Sequence, residues 1–156
     1  MNELNRTDFL KVAGSGSAAL FAGAGLRVPK HTVDRSGRLT FQAAAGLPGK
    51  PLPSYATQLL DGSVNLEDGT GLVTARVLAG HPGDTGFVGI PGLARVIRIT
   101  SIRDDGRVLR LSGHVEDRSQ LRRGESPSVE IAIDKKTGVV TAPFAGRPIE
   151  HRPLKA

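Results

Sequence analysis

Short runs in which apolar and polar residues alternate, each followed by a glycine-containing turn, constrain the fold of this chain most strongly. The clearest case runs from Arg95 to Glu116, where two such runs flank Asp104-Asp105-Gly106. Alternation with a period of two places one set of side chains on each face of a β-strand. A three-residue loop with glycine in the left-handed conformation commonly joins antiparallel strands. The pattern therefore predicts a β-hairpin with one buried face.

The same alternation predicts which side chains share a face of this hairpin. A three-residue loop pairs Ile99 with Leu111, whereas a two-residue loop would mix apolar and polar side chains on each face. We therefore expect the three-residue loop. The apolar face then carries Ile97, Ile99, Leu109, Leu111 and Val115, and the polar face carries Arg98, Thr100, Arg110, Ser112, His114 and Glu116.

The pattern continues along the chain and predicts an all-β fold. A second hairpin is expected from Val129 to Phe144, Asp117 is expected to cap a single helical turn, and Ile149–Leu154 is expected to form a last edge strand. Six to eight half-buried antiparallel strands protect their edges in a small barrel or in a two-sheet sandwich. We expect one of these two folds.

The region before the predicted β-domain has the composition of a linker. Residues 46–53 contain three prolines, which lack the amide hydrogen that strands and helices use. We therefore predict a linker over residues 25–53 and a β-domain over residues 54–156. Near the start of that domain, Asp61-Gly62 is expected to interrupt the first extended region.

The first 24 residues have the organisation of an export signal. A short polar head is followed by an uncharged run, Val12–Gly25, rich in alanine and glycine. This run is shorter than the roughly 20 residues that a transmembrane helix requires. Ala22-Gly23-Ala24 provides the small residues that a signal peptidase recognises. We expect cleavage of residues 1–24 and no transmembrane span.

The polar head resembles twin-arginine export signals. Thr7 occupies the position of the second arginine, and the other features of the motif are present in register. The resemblance implies export of the remaining chain to the periplasm, the cell surface or the medium. The matching residues are Asn5, Arg6, Phe9, Leu10 and Lys11.

Charge and composition limit the partners of the exported part. The net charge is +6, and removing residues 1–24 leaves it unchanged because that segment holds two basic and two acidic residues. A basic balance favours an anionic ligand or an anionic component of the cell envelope, and it also serves solubility. The chain has no cysteine, which excludes disulfides and thiolate sites. Few aromatic residues are present, so specific nucleic-acid binding is not expected.

His114 and Glu116 form the first candidate site. Residues two apart lie on the same face of a strand, about 7 Å apart, so the two side chains could transfer a proton between them and a ligand. Arg98 and Arg110 share the polar face with them and could bind an anion. No second histidine or cysteine completes a metal site, so we predict neither a metal nor a cofactor.

Two further groups of residues are candidates for binding. His81 and Asp84 lie in a long loop rich in glycine and proline, and such loops often carry function. Arg118, Arg122 and Arg123 are clustered in one short connection. If this connection and the basic hairpin turns lay at the same end of the domain, they would form a basic rim.

These residues support two interpretations of function. The first is a binding module that holds a small apolar or anionic ligand, either in the mouth of a barrel or at a basic rim. The second is a cofactor-independent barrel enzyme, such as an isomerase or cyclase, in which His114 and Glu116 transfer protons. The enzyme requires the polar face of the 95–116 hairpin to point into a cavity.

Overall fold

The computed structural model describes residues 31–47, 56–80 and 88–154, which form an antiparallel β-structure. A single 3₁₀ turn, Arg118–Gln120, lies between two of the strands. The strands, in chain order, are β1 (His31–Val33), β2 (Arg38–Gly46), β3 (Ala56–Asn65), β4 (Thr70–Ala79), β5 (Val88–Gly89), β6 (Arg95–Asp104), β7 (Val108–Val115), β8 (Ser128–Asp134), β9 (Val140–Phe144) and β10 (Arg147–Pro153).

Eight of these strands close into a barrel in the order β2-β3-β4-β6-β7-β8-β9-β10. The ring closes where Ala43 and Ala44 of β2 pair with Pro153 and Arg152 of β10. The short strands β1 and β5 extend the pairing at β2 and β4. The all-β prediction is therefore confirmed, and the fold is the barrel. The predicted edge strand is wrong in one respect, because β10 pairs on both sides.

The predicted linker is not a linker in its described part. Residues 31–47 contribute β1 and β2, and β2 pairs with β3 along its whole length. Leu39, Phe41 and Ala43 of β2 are buried, while the residues between them are exposed. The alternation is present in the sequence, but small alanines carry much of its apolar face. The start of the β-structure near residue 54 is therefore corrected to residue 31 within the described chain.

The hairpin of β6 and β7 has the predicted faces and a different register. Ile99 pairs with Gly113 rather than with Leu111, and the pairing shifts by one residue between Ile99 and Ser101. The connection is a two-residue turn, in which Gly106 has a φ of 80° and the amide of Asp105 donates to the carbonyl of Val108. The bulge beside Ile99 adds the residue that restores the inward face.

The five predicted inward residues of this hairpin are all buried. A two-residue turn alone would have reversed one face, as the sequence argument states, and the bulge prevents this reversal. The prediction of the buried face is therefore confirmed, and the prediction of the register is wrong.

Gly62 lies inside a continuous strand, β3, and does not interrupt it as expected. A Cβ atom at this position would lie 2.3 Å from two carbon atoms of the Phe41 ring. The ring of Phe41 therefore occupies the space that a side chain at position 62 would require. Glycine at this position makes room for the largest inward side chain of β2.

Candidate functional site

The barrel contains a cavity of about 320 Å³ at one end, where β7 and β9 finish and β3 begins. This volume lies at the lower limit of the sizes typical of small-molecule sites, about 300–1,000 Å³. We call this the cavity end. The barrel strands contribute Gln58, Leu60, Ala75, Ile97, Val115, Val129, Ala142 and Phe144 to the lining, and the surrounding segments contribute Leu93, Leu121 and Ser126.

The cavity exists because inward side chains differ in size along the barrel. At the cavity end, Ala75 and Ala142 replace the larger residues found further in. The rest of the interior holds larger apolar side chains. The fully buried ones include Leu39, Val64, Val73, Ile99, Leu111, Ile131, Ile133 and Val140.

Arg95 and Glu125 form a largely buried ion pair beside the cavity. Their side chains are 11% and 19% exposed, and Nη2 of Arg95 lies 3.0 Å from Oε2 of Glu125. Nε of Arg95 also donates to Oε2 of Glu125, so the contact is bidentate. Pairs with this geometry are among the stronger hydrogen-bonded contacts in proteins. The pair joins the start of β6 to the connection between β7 and β8.

All the N–H groups of Arg95 have partners within the protein. Nη1 donates to the carbonyls of Gly92 and Ala94, and Nη2 donates to the carbonyl of Gln120. A guanidinium has five N–H groups. The contacts with the three carbonyls, together with those to the carboxylate of Glu125, use all five. Arg95 therefore holds the mouth of the cavity together and has no donor left for a ligand.

The segment that Arg95 holds, residues 117–126, lies over the cavity, and we call it the cover segment. It begins with the predicted turn: Oδ1 of Asp117 accepts from the backbone amide of Ser119 at 3.0 Å. The hydroxyl of Ser119 also donates to Oδ1 at 2.6 Å, and this hydrogen bond, followed by the one from the amide, lowers the pKa of the Asp117 carboxyl. Leu121, Gly124 and Glu125 of the same segment line the cavity. The prediction of a single capped turn is confirmed.

A second polar pair, His151 and Gln58, lies inside the barrel wall. His151 is fully buried, its Nδ1 lies 3.1 Å from the carbonyl oxygen of Val140, and its Nε2 lies 3.0 Å from Oε1 of Gln58. Burial lowers the pKa of His151, although hydrogen bonds that the imidazole donates to the backbone act in the opposite direction. Gln58 is also a lining residue of the cavity. The pair therefore connects the wall of the cavity to the interior of the barrel.

The structure places His114 and Glu116 on the outer side of the barrel. His114 is half-buried on β7, between Arg98 of β6 and Ser128 of β8. Glu116 forms an ion pair with Arg98, whose side chain is 56% exposed. None of these three predicted site residues lines the cavity. Their face is the solvent-exposed one, because the alternate residues of β7 point inward.

The predicted arginines do not form one patch. Arg110 pairs with Asp105 at 2.7 Å and with Glu130 at 2.8 Å, at the end of the barrel opposite the cavity. Hydrogen bonds from Arg103 and from Arg110 lower the pKa of the Asp105 carboxyl, and the bonds to Asp105 and Glu130 raise the pKa of Arg110.

The proposed basic rim is likewise divided between the two ends. Arg118, Arg122 and Arg123 lie in the cover segment at the cavity end, exposed to solvent. The basic residues of the hairpin turns lie at the opposite end, where several of them form ion pairs. Arg107 pairs with Asp134, and the buried Lys135 pairs with Asp104.

Two other predictions concern the loop that contains His81 and Asp84 and the metal content of the protein. His81 and Asp84 lie outside the described residues. Within the described ranges, no group of three or more His, Asp or Glu side chains is placed to hold a metal ion. In that same part of the chain, no helix has the length and hydrophobicity needed to cross a membrane.

Comparison of the chain with protein-family models, with curated proteins and with solved structures finds no match. The cavity and its residues therefore carry the functional argument.

The sequence analysis missed the four polar residues of the cavity end. Gln58 and Arg95 occupy inward positions of strands whose other inward residues are apolar, such as Leu60 and Ile97. A polar residue on an apolar face is the informative exception in such a pattern. This signal was available for both, whereas their partners, Glu125 and His151, lie far away in the chain.

Proposed function

We propose that this protein is a binding module that holds a small, largely apolar ligand in the cavity at the end of the barrel. The observation that carries the proposal is the cavity itself, which is lined by Leu60, Ile97, Val115 and Phe144 among other apolar residues. Small-molecule sites are typically concave and mainly apolar, with a few polar groups that fix orientation. In another protein, an apolar cavity of about 150 Å³ holds one benzene ring, so this one has room for a larger ligand.

The alternative function, a barrel enzyme, has less support. It requires His114 and Glu116 to face a cavity, and they lie on the outer face, where Glu116 is already paired with Arg98. The charged and amide side chains at the cavity are the ion pair of Arg95 and Glu125 and the amide of Gln58, which contacts His151. Such groups favour binding and orientation over proton transfer.

Replacing Ala75 with Leu is expected to weaken ligand binding at least tenfold. Ala75 is inward and lines the cavity, so a larger side chain would occupy the space of the ligand. The probe is benzothiophene, an apolar bicyclic compound, titrated into the full chain by isothermal titration calorimetry. A tenfold loss of affinity corresponds to about 1.4 kcal/mol of binding free energy. The free energy of unfolding should change little, because the added side chain enters a cavity and not a filled core.

The matched control for this experiment is Thr74→Leu. Thr74 is the neighbouring residue of β4 and points to the opposite face. It should leave the affinity for benzothiophene unchanged. Equal affinities of the folded Ala75→Leu variant and the wild type would contradict the proposal that the cavity is the binding site.

We further propose that the protein acts after export, on the basis of its N-terminal segment. Thr7 replaces the second arginine of the twin-arginine motif, so Thr7→Arg is expected to raise the amount of exported protein severalfold. The measurement compares exported and retained protein by mass spectrometry, with Asn2→Arg as a control that adds the same charge outside the motif. Equal export of Thr7→Arg and the wild type would count against this route.

A further inference from the structure

Gln58 offers the cavity a polar group with a defined hydrogen-bonding direction. Its side chain is 5% exposed and lines the cavity. One amide atom of Gln58 contacts Nε2 of His151, and within the described part of the chain the other amide atom has no protein partner. That free atom is not sealed in the interior, since the only enclosed unpaired side-chain atom among the described residues is Nδ1 of His31. It is therefore available to a ligand.

His151 determines which amide atom faces it. The carbonyl of Val140 can only accept, so Nδ1 of His151 carries a hydrogen and donates to it across 3.1 Å. A neutral imidazole has one N–H group, which leaves Nε2 as an acceptor. An acceptor at Nε2 requires the NH₂ group of Gln58 opposite it. The contact described above places Oε1 of Gln58 opposite Nε2. A rotation of the amide by 180° exchanges its oxygen and nitrogen without moving the rest of the side chain, and it brings the NH₂ group to Nε2 and the oxygen to the cavity.

The surroundings of His151 favour the neutral imidazole. The ring is fully buried, and its two hydrogen-bonding contacts are to uncharged groups. Burial lowers its pKa, and no charged side chain contributes to this shift. A buried imidazolium without a carboxylate partner is costly.

We propose, on the basis of the binding function above, that the cavity selects ligands carrying a hydrogen-bond donor, such as a hydroxyl or N–H group. His151 holds the NH₂ group of Gln58, and the amide oxygen of Gln58 faces the ligand. His151 is thus a positioning residue, and Gln58 is the residue that determines specificity. The ligand is apolar over most of its surface and has one donor.

The other polar side chains of the cavity are already paired or have no fixed hydrogen-bonding direction. The donors of Arg95 are all used within the protein, and both carboxylate oxygens of Glu125 accept hydrogen bonds from Arg95. Ser126 and Ser128 also line the cavity, but a hydroxyl both donates and accepts. Gln58 alone among these groups has a direction fixed by a buried partner.

The test compares indole with benzothiophene, which have similar shapes and differ in the N–H group. Both are titrated calorimetrically into the full chain at pH 8, above the histidine range. The wild type is expected to bind indole at least about tenfold more tightly than benzothiophene, because an unpaired polar group in the cavity weakens binding. In the variant Gln58→Met, whose side chain is of similar length, this preference should be lost, so that the two compounds bind with similar affinities.

The variant Gln58→Glu serves as the complementary control. The carboxyl introduced by this substitution and the imidazole of His151 can share a proton, either as a carboxyl O–H that donates to Nε2 or as a carboxylate beside an imidazolium. Either form keeps an acceptor oxygen towards the cavity, so the preference for indole should persist. Equal affinities for the two compounds in the wild type would overturn donor selection, and a preference that survives in Gln58→Met would overturn the assignment of that selection to Gln58 and His151. Both outcomes would leave the binding function standing. Failure of both compounds to bind with a Kd below about 1 mM would overturn both proposals.

Discussion

Replacing Arg95 with Met is expected to lower the free energy of unfolding by about 3 kcal/mol, at the lower end of the range for breaking a buried ion pair. The substitution leaves the carboxylate of Glu125 without its cation in a largely buried position. It also removes the donors to the carbonyls of Gly92, Ala94 and Gln120. The measurement is equilibrium denaturation in urea at neutral pH, with the full chain of each variant.

A double-mutant cycle distinguishes the ion pair from simple loss of packing. The single variant Glu125→Leu should also destabilise the protein, because it leaves the buried guanidinium unpaired. The double variant Arg95→Met with Glu125→Leu should lose less than the sum of the two single losses, because neither charge is then left alone. Additive losses would show that the pair contributes no coupling.

The matched comparison uses an ion pair on the outer face. Arg98 and Glu116 also form an ion pair, but their side chains are far more exposed. Exposed pairs typically contribute about 0–1 kcal/mol, so Arg98→Met should have a small effect on unfolding. A loss as large as that of Arg95→Met would contradict the argument from burial.

The faces of the strands could be predicted from the sequence, and the register could not. Alternation identified Ile97, Ile99 and Leu111 as inward residues, and they are buried. The register depends on the turn and on one extra residue beside Ile99. Both arrangements keep Ile97, Ile99 and Leu111 inside, so the alternation of these residues does not distinguish a three-residue loop from a two-residue turn combined with a bulge. The arrangements differ beyond the bulge, where Ile102 rather than Ser101 turns towards the core.

Closure of the barrel was predicted as one of two possibilities. It depends on pairs between Ala43 and Pro153 and between Ala44 and Arg152, near the two ends of the described chain. Local patterns do not encode such distant pairs. The alanines of β2 are weakly apolar, and the prolines that follow them are typical of a linker. The strand was therefore missed although its alternation is regular.

The predicted site lies outside the cavity for a related reason. His114, Glu116 and Arg98 were grouped correctly, because residues two apart share a face and Arg98 is opposite His114. Which face points inward is decided by the apolar residues between them, so this cluster lies on the outer face. The cavity residues Gln58 and Arg95 interrupt apolar faces, and their partners are distant in sequence.

The second large effect is expected for His151→Leu, which should lower the free energy of unfolding at pH 8 by about 2 kcal/mol. The substitution keeps an apolar side chain of similar size and removes both hydrogen bonds of the imidazole. The amide of Gln58 then loses its partner, and the carbonyl of Val140 loses a donor. His31→Leu is the control, because Nδ1 of His31 is buried without a partner and its removal should cost less.

The loss caused by His151→Leu should shrink as the pH falls. Burial lowers the pKa of His151 and of His31 from 6.5, so below pH 6.5 the unfolded chain binds protons that the folded chain resists. Stability of the wild type therefore falls from pH 6.5 down to the folded pKa values.

Urea denaturation at pH 8 and at pH 5 measures the loss of stability caused by the histidines. The hydrogen-bonded aspartates do not titrate appreciably in this pH range. Asp34, Asp68 and Asp134 have pKa values lowered from 3.8 by hydrogen bonds, so their contributions to stability are lost only in stronger acid. His151→Leu should therefore lose less stability than the wild type between pH 8 and pH 5. An identical loss in both proteins would show that His151 is protonated as easily in the folded barrel as in the unfolded chain. That result would contradict the proposal that a neutral His151 accepts a hydrogen bond from Gln58.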